Sequence, residues 1–200
     1  MPRILRIINR FNLGGPTYNA AYLTKYLPPE YETMLLGGMK DETEDSSQFI
    51  VENLGITPTV LHEMHREINI FNDAAAYRKI KKIIAEFKPD IVHTHASKPG
   101  ALGRWAAHRM NVPVIIHTFH GHVFHSYFNP AKTRFYKSLE RRLADVSTRI
   151  IAISEKQKEE LSIDHQICPA DKIEVIPLGF DLNRFQDGIA KKREVFREEF

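Results

Sequence analysis

The hydrophobic positions of this chain follow two rhythms. Short, β-branched apolar runs recur along it. Between them lie longer stretches in which apolar residues return every third or fourth position. The first rhythm predicts strands and the second predicts amphipathic helices. "RILRII" (3–8) is the first such run and leads into a Gly-Gly turn. "TYNAAYLTKYL" (17–27) predicts a helix with Ala21, Leu23 and Leu27 on its buried stripe. "YETMLLGG" (31–38) is a second strand closed by Gly37 and Gly38, and the acidic stretch 40–47 reads as an exposed loop. A short third strand follows at 57–63. Residues 72–87 predict a helix capped by Asn72 or Asp73, with Ala75, Ile80, Ile83, Ile84 and Phe87 inward. Pro89 ends it. Strands are then expected at 90–95, 112–119, 149–154 and 172–177. Helices are expected at 98–110, 129–146 and 155–163.

Strictly alternating strands and helices imply a doubly wound α/β fold, mostly parallel in its sheet, with helices on both faces. The continuous apolar runs "VPVII" and "RIIAI" fit strands buried on both sides. In such folds ligands bind beyond the carboxyl ends of the strands. That rule selects four places: 12–17, 95–100, 118–125 and 154–155.

Each place has a plain structural reading beside a functional one. "NLGGPTYN" opens the first helix, and glycines there let backbone N–H groups approach an anion at a helix N-terminus. It is not a GxGxxG pattern, and a tight strand-to-helix turn explains it equally. In "HTHASKPG", His93 and His95 alternate onto one strand face, Ser97 is placed to cap the next helix, and Lys98 adds charge at its mouth. In "AISEKQ", Ser154 and Glu155 stand at a strand end, where a helix cap serves as well as a ligand contact.

The densest chemistry is "HTFHGHVFHSYF" (117–128), with four histidines and four aromatics in twelve positions. Seven of the ten histidines fall between His93 and His125. A structural zinc site would require Cys or His at fixed short spacings, and neither a nearby cysteine nor an H-E-x-x-H helix is present. The expectation is therefore no metal. His117 lies within a strand and is expected to point into or across the sheet. His120 and His122 flank Gly121, where the chain leaves the strand. A polar cradle for a hydroxyl- and phosphate-rich ligand fits these imidazoles, with Phe119, Phe124, Tyr127 and Phe128 to pack against it.

Composition narrows the class. With 42% hydrophobic and 26% charged residues the chain is an ordinary globular one. A net charge of +3 gives no nucleic-acid footprint. The single cysteine, Cys168, excludes an internal disulfide and reads as structural. No apolar run approaches the ~20 residues needed to span a bilayer, and "MPRILRIINRF" is too short and too charged for a signal peptide. A cytoplasmic location is expected. Arg134, Lys137, Arg141 and Arg142 with Phe135, Tyr136 and Leu139 form a basic amphipathic helix that could lie on an anionic leaflet. Packing of that helix on the sheet is the plainer reading.

Taken in order, Gly14-Gly15, "HTHASKPGALGRWAA", "HTFHGH", "AISE" and "IEVIPLGFDLNRF" resemble the N-terminal domain of a GT-B glycosyltransferase of family 4. The resemblance covers essentially the whole chain. It implies a Rossmann-like, acceptor-binding domain over 1–180 and a linker over 181–200 toward a nucleotide-sugar-binding domain. "PLGFDLNRF" is similar to the family's Pro-Asn-Gly-Val-Asp linker, with Leu178 for Asn and Phe180 for Val. The family's donor-gripping Gly-Lys loop and paired glutamates have no counterpart here, so the chain by itself is expected not to turn over. The resemblance further implies sugar transfer from a nucleotide-sugar, UDP-linked, with retention of configuration. The acceptor would be a lipid-linked sugar or a polysaccharide, and no bound cofactor or metal is implied. Residue by residue, it implies that Gly14 and Gly15 border the diphosphate and that His120 contacts the transferring sugar. His95, Lys98 and Ser154 are candidates for the acceptor side. Arg66 could reach the same cleft or simply sit on the surface. The competing reading is a self-contained Rossmann-like module that binds a nucleotide or phosphate. Another GT-B enzyme, such as a sugar-phosphate synthase, lies between the two.

Overall fold

The computed structural model describes residues 1–12, 14–38, 47–65, 67–121, 124, 129–182 and 188–199. Among them seven strands form one sheet: β1 (Arg3–Arg10), β2 (Glu32–Gly38), β3 (Thr59–Leu61), β4 (Ile91–His95), β5 (Val114–Phe119), β6 (Arg149–Ala152) and β7 (Ile173–Val175). Their order is β3-β2-β1-β4-β5-β6-β7, and every pairing is parallel. The doubly wound expectation is met, and the sheet is parallel throughout. The helices are α1 (Gly15–Lys25), α2 (Gln48–Asn53), α3 (Ile70–Phe87), α4 (Ser97–Arg109), α5 (Pro130–Asp145), α6 (Glu155–Glu159) and α7 (Ile189–Glu199). A π-helical turn, Glu160–Asp164, continues α6.

Strand order reverses direction between β1 and β4. Two consecutive stretches of chain wind outward from that line, leaving a crevice beyond the carboxyl ends of its strands. Both sheet faces are covered. Leu5 and Ile7 of β1 pack with Val92, Ile115 and the inner sides of α3 and α4 (Ala76, Ile80, Ile84, Ala106, Ala107). Ile8 and Leu35 pack on the opposite face with Ala20 and Ala21 of α1 and Ile50 and Val51 of α2. A third cluster joins Phe119, Ala144, Ile150, Ala152, Leu161 and Ile173 around β6.

Two helix faces differ from the sequence expectation. In α1 the buried residues are Thr17, Asn19, Ala20, Ala21 and Thr24, while Leu23 and Leu27 are only half-buried. The helix presents this face to a strand that carries Arg6, so a threonine is required beneath it: the Arg6 guanidinium donates to Thr24 Oγ1 at 3.0 Å. Helix α3 starts at Ile70 rather than at 72, and its cap is Asn69. Asn69 Oδ1 accepts from the backbone N–H of Phe71 and of Asn72 at 3.1 and 3.0 Å. Asp73 accepts the Asn69 N–H in return. The early start was hidden because Ile70 and Phe71 are 80% and 86% exposed and so break the apolar rhythm. Asn69→Ala is expected to cost about 1 kcal/mol, the usual worth of an N-cap, read as a lower thermal midpoint.

Ser97 does not cap α4. It is the first helical residue, and the preceding Ala96 stands at the cap with φ 65 and ψ 166. Few residues other than glycine occupy that region, so the corner between β4 and α4 holds strained backbone. Gly38 has a steric role. A Cβ there would lie 2.0 Å from the Met64 carbonyl oxygen and 2.7 Å from that of Asn9. The loop expected at 40–47 lies outside the described residues except for Ser47, as do Arg66, His122, Tyr127 and Phe128.

Candidate functional site

The parallel register decides which histidines share a face. β4 and β1 pair His93 with Arg6 and Thr94 with Ile7. β5 pairs His117 with Thr94 and Thr118 with His95. Alternation then puts His93, His95 and Thr118 on the face carrying Arg6, and Thr94 and His117 on the face covered by α4.

On the first face the rings form a ladder. His93 Nε2 lies 2.8 Å from Thr118 Oγ1. The His93 and His95 ring centroids are 4.3 Å apart. His95 and His120 stack at 5.2 Å with 26° between planes. A hydrogen bond of 2.9 Å joins His95 Nδ1 to His120 Nε2. His93 and His95 are buried, while His120 is half-buried just past the carboxyl end of β5. Gly121 follows with φ 150, a conformation that suits glycine where the chain turns out of the strand.

Burial keeps this ladder uncharged. Desolvation holds His93 and His95 well below the ordinary imidazole range, and the Arg6 charge adds to it. His120 is pushed down to about 4 by burial alone. Arg6 is itself lowered to about 10 by burial. At neutral pH the three rings are therefore neutral hydrogen-bonding groups above a buried cation.

The opposite face is structural. His117 is buried, and its Nδ1 lies 2.8 Å from Thr94 Oγ1. Burial, then the Arg104 charge, keeps it neutral. Arg104 is fully buried, donates to Glu140 at 2.6 Å, and donates from Nε to the Gly100 carbonyl at 2.8 Å. Gly100 is the point of closest approach, because a Cβ there would sit 2.6 Å from His117 Cε1 and 3.2 Å from Arg104 Nη2. Gly100→Ala is expected to destabilise by about 1–3 kcal/mol through overpacking, measured as a lower denaturant midpoint with an unchanged slope.

Gly14 caps α1, its carbonyl accepting from the Thr17 N–H at 3.2 Å, and nothing lies within 4 Å of where a Cβ on Gly15 would be. The start of α1 is thus open beside the crevice, at the carboxyl end of β1. Lys98 is committed to its neighbours: it pairs with Asp73 and donates to the Glu67 carbonyl. Ser154 caps α6, its Oγ accepting from the Gln157 N–H at 3.2 Å. The basic helix is α5. Arg141 donates to the carbonyls of Gln166 and His165, and Phe135 is 64% exposed. Cys168 is buried, and desolvation first of all pushes its thiol up to about 11. Among the described residues no group of three or more His, Cys, Asp or Glu side chains could hold a metal ion. No described helix is long and apolar enough to cross a membrane. Sequence reasoning passed over Arg6 and the pair Arg104–Glu140. Their signal was an arginine inside an otherwise apolar strand and another in a helix of small residues.

The family model described as Glycosyltransferase Family 4 matches residues 13–184. Over 126 residues the chain is 39% identical to the UDP-Gal:alpha-D-GlcNAc-diphosphoundecaprenol alpha-1,3-galactosyltransferase of Escherichia coli, covering 63% of this chain and 32% of that protein. A glycosyltransferase structure from Rickettsia africae superposes with a TM-score of 0.69 at 20% identity, over 99% of this chain and 49% of the other. The UDP-GlcNAc 2-epimerase of Neisseria meningitidis, bound to UDP-GlcNAc, superposes at 0.63 with 16% identity, over 86% and 46%. These two likenesses establish the fold alone. The chain spans about a third of the curated relative and just under half of each structural one. Its sheet is that of the N-terminal, Rossmann-like half of a GT-B protein, and the chain belongs to glycosyltransferase family 4.

Proposed function

We propose that the protein containing this domain transfers a sugar from a nucleotide-sugar to a lipid-linked or polysaccharide acceptor. The observation that carries this reading is the arrangement at the crevice. The open Gly14-Gly15 turn ends β1, and a neutral, half-buried histidine ends β5, on the two sides of the topological switch. In this reading the backbone at Gly14 and Gly15 borders the donor diphosphate, where helix α1 directs its positive end. His120 contacts the transferring sugar. Lys98 and Ser154 border the acceptor side through their backbone surroundings, since their side chains are already engaged.

The donor is UDP-linked and transfer retains anomeric configuration. The family resemblance supports both, and the UDP-galactose and diphosphoundecaprenol in the relative's name support a UDP donor and a lipid diphosphate acceptor. No metal takes part: backbone dipoles and basic groups offset the charge of the departing diphosphate. The reaction takes place in the cytoplasm at the inner membrane face, with exposed Phe135 and Arg134 of α5 toward the lipid. A panel of UDP-, GDP- and ADP-sugars offered to the whole protein with a lipid diphosphate-linked sugar tests this. UDP release and a product with the donor's anomeric configuration by NMR are expected. Preference for another nucleotide, or inversion, would contradict it.

A further inference from the structure

Residues 70–145, which span α3, α4 and α5, hold thirteen Lys and Arg against five Asp and Glu. Their net charge is +8 where the whole chain has +3, so the rest of the chain stands at −5. The three helices form one layer on the sheet. Lys98 at the start of α4 pairs with Asp73 of α3, and Arg104 of α4 pairs with Glu140 of α5. The cations turned to solvent are different ones. Arg78 of α3, Arg109 of α4, and Arg134 and Arg142 of α5 are exposed and form no ion pair among the described residues.

Apolar side chains stand out among these arginines. Ile68, Ile70 and Phe71 are 70%, 80% and 86% exposed. Trp105 of α4 is exposed with the Arg109 guanidinium 5.2 Å from its ring centroid, and Phe135 of α5 is exposed as well. The tip at 68–71 is held outward by its own bonds. Asn69 caps α3, Asp73 accepts from the Asn69 N–H, and Lys98 donates to the Glu67 carbonyl. In water these side chains gain nothing from that placement, whereas an apolar host would gain from each. A helix that follows a strand of a parallel sheet starts at the carboxyl end of that strand. The tip and the first turns of α4 and α5 therefore stand at the edge that holds the crevice.

We propose that the α3–α4–α5 layer docks on an anionic lipid bilayer, with Ile70 and Phe71 inserted and Arg78, Arg109, Arg134 and Arg142 at the headgroups. Branched aliphatic side chains beside unpaired arginines suit a bilayer, which takes the cations at its surface and the apolar tips beneath it, with tryptophan at the boundary. A nucleic acid would match the charge and leave Ile68 and Ile70 in water. Lipid contact by α5 belongs to the proposed function, and so does an acceptor held in the membrane. The docking of α3 and α4 goes beyond it and stands on charge and exposure.

The test is sedimentation of the whole protein with vesicles of phosphatidylcholine, alone or mixed with phosphatidylglycerol. Binding to the mixed vesicles only, weakened by added salt, is expected. Ile70→Ser with Phe71→Ser, and separately Arg78→Glu with Arg109→Glu, should each weaken that binding ~10-fold or more with unchanged circular dichroism. The Ile70→Ser, Phe71→Ser protein should keep its turnover on a water-soluble, short-chain acceptor and lose ~10-fold in kcat/KM on acceptor embedded in the mixed vesicles. Unchanged vesicle binding by both folded variants overturns the proposal. So does RNA binding or dimerisation through this face in place of vesicle binding. Vesicle binding that both variants weaken, in a protein that transfers no sugar, would instead leave the docking surface intact and refute the functional reading.

Discussion

Replacing His120 by alanine in the whole protein is expected to lower kcat by ~100-fold or more while lowering the thermal midpoint less than His117→Ala does. A loss of that size corresponds to at least ~2.7 kcal/mol of barrier. The ring is half-buried beyond the end of β5, so removing it vacates crevice rather than core. What is lost is one neutral hydrogen-bonding group held by His95 at 2.9 Å. Preorganised donors of this kind are worth most where charge develops in the transition state. His117→Ala should behave in the opposite way. That ring is buried, bonded to Thr94 and set edge-on to Phe119 with centroids 4.7 Å apart. Its loss should cost at least about 2 kcal/mol of stability, and kcat of the folded fraction should survive. Steady-state kinetics and melts of both variants check this. Near-normal turnover in His120→Ala with a folded but inactive His117→Ala would mean that the roles are exchanged.

The domain is expected to lose stability steeply between pH 6.5 and 5, before most carboxylates protonate. His93, His95, His117 and His120 all have folded-state pKa values depressed by burial. Below 6.5 the unfolded chain takes up protons that the folded state refuses. Stability therefore rises with pH across this window and is fully present above it. Each histidine contributes a slope approaching 1.4 kcal/mol per pH unit, roughly, until its folded form titrates, which for His120 is at about 4. Urea melts at pH 7.5, 6.5, 5.5 and 5.0 measure the slope. His117→Leu, with one titrating ring fewer, should reduce it by about a quarter of the four-histidine total. A flat profile to pH 5 would mean that the rings are hydrated in solution.

Strands were the most legible part of the sequence because a parallel sheet buried on both faces demands continuous apolar runs, and "RILRII" and "VPVII" have them. What stayed hidden depended on partners far away in sequence. The buried face of α1 is set by Arg6 on the strand beneath it, so Thr17 and Thr24 are inside in place of Leu23 and Leu27. Helix α2 has only six residues, too few to show a period. Alternation correctly placed His93 and His95 on one face, but the bond from His95 to His120 and the placement of His117 on the other face follow from the β4–β5 register. Local pattern does not specify that register. Lys98 and Ser154 occupy positions legible as a helix mouth and a strand end. The cap that Ser154 gives the Gln157 N–H is local and is one of the two readings the sequence offers, whereas the pairing of Lys98 with Asp73 required the packed structure.

We propose that the protein moves a sugar onto an acceptor; the structurally similar UDP-GlcNAc 2-epimerases, by name, alter a nucleotide-sugar in place. The most direct measurement is mass spectrometry of a lipid diphosphate-linked acceptor incubated with the whole protein and UDP-sugar, beside a sample without acceptor. A gain of one sugar on the acceptor is expected, with an unchanged donor when the acceptor is left out. An unmodified acceptor together with an epimerised donor in both samples would contradict it.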